Sequence, residues 1–144
     1  MMDNTERARC ATTARLLEAA GAVSHWSLVV SVTALFLLAG RYPQTYVSIL
    51  ACVIAALIGL PERYFAFRLR FDAGLFNDLA LGTITSLTAL DEALNEASLR
   101  RRAGPIRSLE KRLSGARQLI NRHGALVVCQ SLALTAALLN QWLD

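Results

Sequence analysis

Three stretches of the chain, 22–39, 45–60 and 124–143, carry no Asp, Glu, Lys or Arg and are almost wholly apolar. As helices they would measure roughly 27, 24 and 30 Å, against a bilayer hydrocarbon core of about 30 Å. A soluble domain mixes its apolar residues through the sequence, whereas here the 54% hydrophobic content is gathered into blocks. This pattern predicts an all-α membrane protein. It has three transmembrane helices, with a cytoplasmic amphipathic helix and an antiparallel helical hairpin between the second and third. The first run is longer than a secretory signal's apolar core and no small-residue cleavage site follows it, so it reads as a retained helix.

The connections sharpen the topology. Residues 40–44 form an external turn so short that the first two spans are antiparallel neighbours, with Pro43 suited to open the second helix. The 45–60 run is short for a span, but Tyr42, Tyr46, Tyr64 and Phe65 resemble interfacial belts at its two ends. Trp26 suits the headgroup level at the start of the first run, and Asn140, Gln141 and Trp142 mark the far end of the third. Ser48, Cys52, Ala55 and Gly59 share one face at helical spacing and predict close helix approach, within this chain or to a second copy. Gln130 lies deep in the third run and should face protein, because an unpaired amide in hydrocarbon is costly.

Charge orients the chain. Lys and Arg number 3 in residues 1–21, 1 in residues 40–44 and 11 in residues 61–123, with none in 124–144. The positive-inside rule then places residues 1–21 and 61–123 in the cytoplasm and the C-terminus outside. Arginine outnumbers lysine 14 to 1, in keeping with a GC-rich bacterial genome and hence a bacterial inner membrane. The basic excess flanks apolar runs, which favours anionic lipid headgroups over nucleic acid as a partner. Cys10, Cys52 and Cys129 are odd in number and scattered, a pattern that fits small apolar residues better than a disulfide or zinc framework.

Residues 1–21 predict an N-terminal cytoplasmic helix capped at Asn4 or Thr5 and hinged at Gly21. Residues 61–82 read as an amphipathic helix rich in Phe and Arg, lying on the membrane or packed on its cytoplasmic neighbours. Arg63, Tyr64, Phe65, Arg68, Phe71, Arg122 and His123 are the expected lipid-interface residues. In 83–123, Leu87, Leu90, Leu94, Ala97 and Arg101 form one seam of coiled-coil type, and Ile106, Leu109, Leu113, Ala116 and Ile120 a second. The break at 103–105 joins them as a hairpin capped at Thr83 or Thr85, and matching arm lengths put the bend before it at Gly82. Asp91 and Glu92 are placed to pair with Arg112 or Arg117 across the hairpin, and Arg100, Arg101 and Arg102 at its tip are the expected partner-binding residues.

Chemistry-bearing motifs are sparse. Asp72 and Asp78 diverge on a helix, and Glu92 and Glu96 read as a solvated face. No phosphate loop, zinc-protease or nucleophile-elbow motif occurs, so no cofactor, metal or catalytic residue is assigned. Arg117 and His123, with Gln118 after the arginine, resemble the Arg-then-His spacing of the HEPN-type helical ribonucleases. That resemblance, confined to these positions, implies two side chains facing a dimer cleft. The reading that results is a small inner-membrane scaffold or accessory subunit acting through helix–helix contacts, in a homo-oligomer or a membrane-protein complex. The alternatives are a homo-oligomeric pore or membrane-disrupting effector, with Gln130, Ser131 and Thr135 lining a passage, and a membrane-bound enzyme acting on lipid or RNA.

Overall fold

The computed structural model describes residues 3–40, 45–96 and 108–143. Their secondary structure is entirely helical: α1 (Asn4–Ala22), α2 (Ser24–Ala39), α3 (Tyr46–Leu81), α4 (Leu87–Glu96) and α5 (Leu109–Leu143). Val23, between α1 and α2, keeps right-handed helical torsions (φ −61°, ψ −19°), so the two run on as one rod. Three rods result, Asn4–Ala39, Tyr46–Leu81 and Leu109–Trp142, each long and apolar enough to cross a membrane. At 1.5 Å per residue each is about 50 Å long, some 20 Å more than a hydrocarbon core needs.

Caps set the rod ends. Asp3 opens α1 with a reciprocal box: its carboxylate accepts from Asn4 N (2.7 Å), while its own N–H donates to Glu6 (3.1 Å). The cap thus falls one residue before the expected Asn4 or Thr5, because only Asp3 has an acidic partner at the third helical position. Thr45 caps α3 by accepting from Ser48 N (3.4 Å). Gly82 ends α3 in the left-handed region at φ 78°, which is the bend expected there. Ser86, rather than Thr83 or Thr85, caps α4 by accepting from Ala89 N (3.1 Å).

The amphipathic helix expected over 61–82 is not a separate element. It is the distal half of α3, which runs through Pro61 without a break. Proline removes one ladder hydrogen bond and crowds the turn before it. Pro61 lies on the exposed side of α3, while Gly59 and Glu62 keep the buried face continuous across it. Gly21 is not a hinge either. It is buried, and a Cβ there would sit 3.6 Å from Arg70 Cγ, so the glycine lets α1 approach α3.

Contacts fix the topology as up-down-up. Gly82 lies beside Arg7, Gly21 beside Arg70 and Gly59 beside Ser31, so α3 runs antiparallel to the first rod. Ser48 bonds Ala137, and Glu62 meets His123, so α5 is antiparallel to α3. From Ser48 the buried face of α3 runs through Cys52, Ala55, Gly59, Glu62, Ala66, Leu69, Ala73 and Phe76 in an alternation of four and three, and Leu79 adds a final step of three. This spacing is the signature of helices packed along a shared seam. On α5 the buried positions near the start are Leu109, Ala116 and Leu119, not the expected Ile120, which is only partly buried. α5 packs chiefly on α3, with smaller contacts to α2 and α1, and α4 joins the core of the basic half through Leu90. Leu90 is buried there, with Leu87 and Leu94 half-buried beside it. Ala97, Arg101, Ile106 and the tip residues Arg100, Arg101 and Arg102, like Tyr42 and Pro43, lie outside the described residues.

The interior divides into two apolar cores. One holds Val30, Ala34, Cys52, Ala55, Leu134 and Ala137 in the apolar half of the rods. The other holds Cys10, Ala14, Leu17, Leu69, Phe76, Leu79 and Leu119, among others, in the basic half.

Candidate functional site

Between the two cores lies a buried polar layer. Ser24 and Ser27 supply it from α2, Glu62 from α3, and His123 and Gln130 from α5, and all five are at most 2% exposed. The seam spacing puts them there. Glu62 follows Gly59 by three residues on the α3 face, and His123 precedes Gln130 by seven on α5.

Gln130 is fully engaged. Its carbonyl accepts from Ser27 Oγ (2.5 Å), and its amide donates to Ser27 O (3.2 Å) and Ser31 Oγ (2.7 Å). Gly59 makes room for this group: a Cβ there would fall 2.3 Å from Ser31 Oγ and 3.3 Å from Gln130 Nε2. The amide therefore faces protein, as its depth requires.

Glu62 and His123 are held differently. Glu62 Oε1 lies 3.5 Å from His123 Nδ1, and Glu62 Oε2 lies 3.5 Å from Arg63 Nε. Arg63 then reaches across to α2, its Nη2 donating to Ser24 O (2.9 Å). Neither carboxylate oxygen of Glu62 and neither ring nitrogen of His123 makes a hydrogen bond to a described residue. The pair is a polar contact sealed from solvent, the arrangement in which removing one partner harms most. The carboxylate faces the imidazole on one side and the Arg63 guanidinium on the other, each at 3.5 Å. No substrate reaches either group unless the helices part.

A second polar layer closes the far end. Asn140 Nδ2 donates to Thr45 Oγ1 (2.7 Å) and Ser48 Oγ (3.2 Å), and Ser48 Oγ donates to Ala137 O (3.2 Å). In the basic half, Arg112 pairs with Asp91 across α5 and α4, a pairing expected from the sequence.

His123 is therefore not a lipid-interface residue. It is 2% exposed and points into the bundle, because its place on the α5 seam outweighs its place beside the apolar run. Arg63 turns inward to Ser24, while Tyr64, Arg68, Phe71 and Arg122 are exposed and Phe65 is half-buried. Ser48, Cys52, Ala55 and Gly59 are buried among the helices of this chain, which leaves that face no room for a second copy. The nuclease-like pair is not assembled: Arg117 is exposed while His123 is buried. Nor do Gln130, Ser131 and Thr135 share a lining within the chain. Ser131 Oγ accepts from Trp26 Nε1 (3.0 Å), and Thr135 bonds the carbonyl of Ser131 (2.9 Å). Among the described residues no cluster of His, Cys, Asp and Glu is placed to hold a metal ion.

Sequence reasoning passed over Glu62 altogether. The signal was present, since the four–three spacing of Ser48, Cys52, Ala55 and Gly59 continues onto Glu62.

Compared with protein-family models, curated proteins and solved structures, the chain matches none. Fold and site define a class instead: an all-helical chain with three membrane-long helices, consistent with a multi-pass membrane protein, joined through a buried polar layer.

Proposed function

We propose that this chain is a small integral protein of the bacterial inner membrane that serves as a scaffold or accessory subunit. It acts through helix–helix contacts and has no catalytic activity of its own. The observation that carries this reading is the seam of α3, buried without interruption from Ser48 to Phe76. Such a seam makes the spans and the basic half one body, able to hold a surface at a set height above the bilayer. The charge tally of the sequence supports a cytoplasmic position for that basic half. The Glu62–His123 contact supports the reading, being a buried lock rather than an open reaction centre.

Crosslinking in native membranes, followed by capture in mild detergent, tests it. A defined complex containing the chain, or a defined oligomer of it, is expected. Monomer alone, with no partner, would overturn the proposal.

One observation favours a second reading, a homo-oligomeric pore or membrane-disrupting effector. Buried polar groups recur along the axis, from Ser48, beside the half-buried Asn140, through Gln130 and Ser27 to Glu62 and His123. The core of Val30, Ala34, Cys52, Ala55, Leu134 and Ala137 interrupts them, so conduction would need that core to open. Membrane potential after induced expression separates the two readings: depolarisation supports the pore, and an unchanged potential counts against it.

A further inference from the structure

The lipid-facing side of α3 does not stop where the apolar run stops. Leu57, Leu60, Tyr64 and Phe67 are each more than half exposed, and Phe71 is 40% exposed. They follow one another at spacings of three and four, so a single apolar stripe runs from the span onto the basic half. From Leu60 to Phe71 it rises about 16 Å, enough to pass through a headgroup layer about 5–7 Å deep and beyond it.

Beside this stripe, α3, α4 and α5 enclose a groove of about 800 Å³. Its lining includes Tyr64 and Arg122, next to the ends of the apolar runs in the sequence, and Phe67 and Phe71. Four cations line it, Arg68, Lys111, Arg112 and Arg122, against the carboxylates Asp72 and Asp91. Arg112 is engaged by Asp91, and Arg68 lies 3.9 Å from Asp72. Arg122 and Lys111 carry no ion pair among the described residues. The groove thus has an apolar wall continuous with the lipid-facing surface and a net positive rim beside the bilayer.

We infer that this groove seats the headgroup of an anionic phospholipid, its phosphate on Arg122 and Arg68 and its acyl chains along Leu60 and Leu57. The lipid keeps its ordinary orientation: tails against the span, glycerol near Tyr64, charge among the arginines. Basic pockets between helices at the cytoplasmic face suit anionic headgroups, each nearby Lys or Arg contributing about 1 kcal/mol, or about fivefold in affinity. A peptide occupant would not need the unbroken stripe down to Leu57, whereas an acyl chain does.

The test uses purified protein alone and so stands apart from the scaffold reading. Protein is released from vesicles of phosphatidylcholine doped with phosphatidylglycerol, and retained lipid is counted by native mass spectrometry. Wild type is expected to keep phosphatidylglycerol selectively. The pair R68Q and R122Q together should lower its apparent affinity by about 25-fold, at fivefold per charge. The pair R9Q and R70Q removes the same charge away from the groove and should leave retention unchanged. Equal loss in both double variants, or equal retention of phosphatidylcholine and phosphatidylglycerol by wild type, would overturn the inference. If R68Q with R122Q does not fold, a phosphatidylglycerol carrying a photoreactive group on its headgroup glycerol decides on wild type: labelling should fall within Tyr64–Phe71 or beside Arg122, and labelling away from both would reject the site.

Discussion

Glu62 and His123 approach to 3.5 Å at the level where the two apolar cores of the bundle meet, and both are sealed from solvent. Each sits on the packing seam of its own helix, so the contact joins α3 to α5. Two polar side chains buried against each other contribute modestly as a pair, but either one left alone in the interior is costly. Glu62→Leu or His123→Leu alone should therefore cost about 3–5 kcal/mol, while the double replacement should come within about 1 kcal/mol of wild type. Thermal melts of the four proteins in one detergent measure this as a cycle. Additive losses in the double variant would show that the two side chains do not depend on each other.

Gly59 gives a second test, of close approach. A methyl group there would fall 2.3 Å from Ser31 Oγ. Gly59→Ala should destabilise by about 1–3 kcal/mol, the usual cost of forcing volume into a packed interior. Removing the obstructing hydroxyl with Ser31→Ala should restore part of that loss, even though Gln130 then gives up one hydrogen bond. No recovery in the melts of the double variant would place the crowding elsewhere.

Much of this architecture was legible in the residues. The three apolar runs, the bend at Gly82 and the inward place of Gln130 all follow from periodicity, backbone freedom and the cost of burying an amide. What misled was local reading at the edges of the runs. His123 beside an apolar run looks like a snorkelling residue, and Pro61 looks like a boundary. Both are overruled by the seam, a property of whole helices packed together. The arm-length match between 83–102 and 105–123 was real as arithmetic. It did not reveal that the second arm packs on α3 and α1, because both packings use the same three–four spacing.

Gly82 ends α3 at φ 78°, close to the Arg7 guanidinium. Any side chain is strained in that region, so Gly82→Ala should cost about 1 kcal/mol. The same substitution at Gly74, which has open space around it and ordinary helical torsions, should instead be neutral or stabilising by up to about 1 kcal/mol. Paired melts check the contrast, and equal effects at the two sites would contradict it.

Asp72 offers a pH-dependent prediction. Burial raises its carboxyl above the usual carboxylate range, and the nearby Arg68 and Arg112 offset this only in part. The folded state therefore holds that proton more tightly than the unfolded chain does. Stability should fall as pH rises through the folded-state value and recover as pH falls. Asp72→Asn should flatten that part of the stability–pH curve and leave the protein at least as stable at neutral pH. A steeper curve in the variant would reverse the sign of the effect.

The central claim is that the spans and the basic half form one continuous body, and the passage of α3 through Pro61 is where it can fail. Spin labels at Leu50 and Asn77, both exposed on α3, measure it directly by pulsed electron resonance in lipid nanodiscs. The background would carry Cys10, Cys52 and Cys129 replaced by alanine. A continuous helix predicts a separation of about 40 Å, from 1.5 Å per residue. A right-angle bend at Pro61, with the second half lying flat on the membrane, would give about 29 Å and would contradict the account.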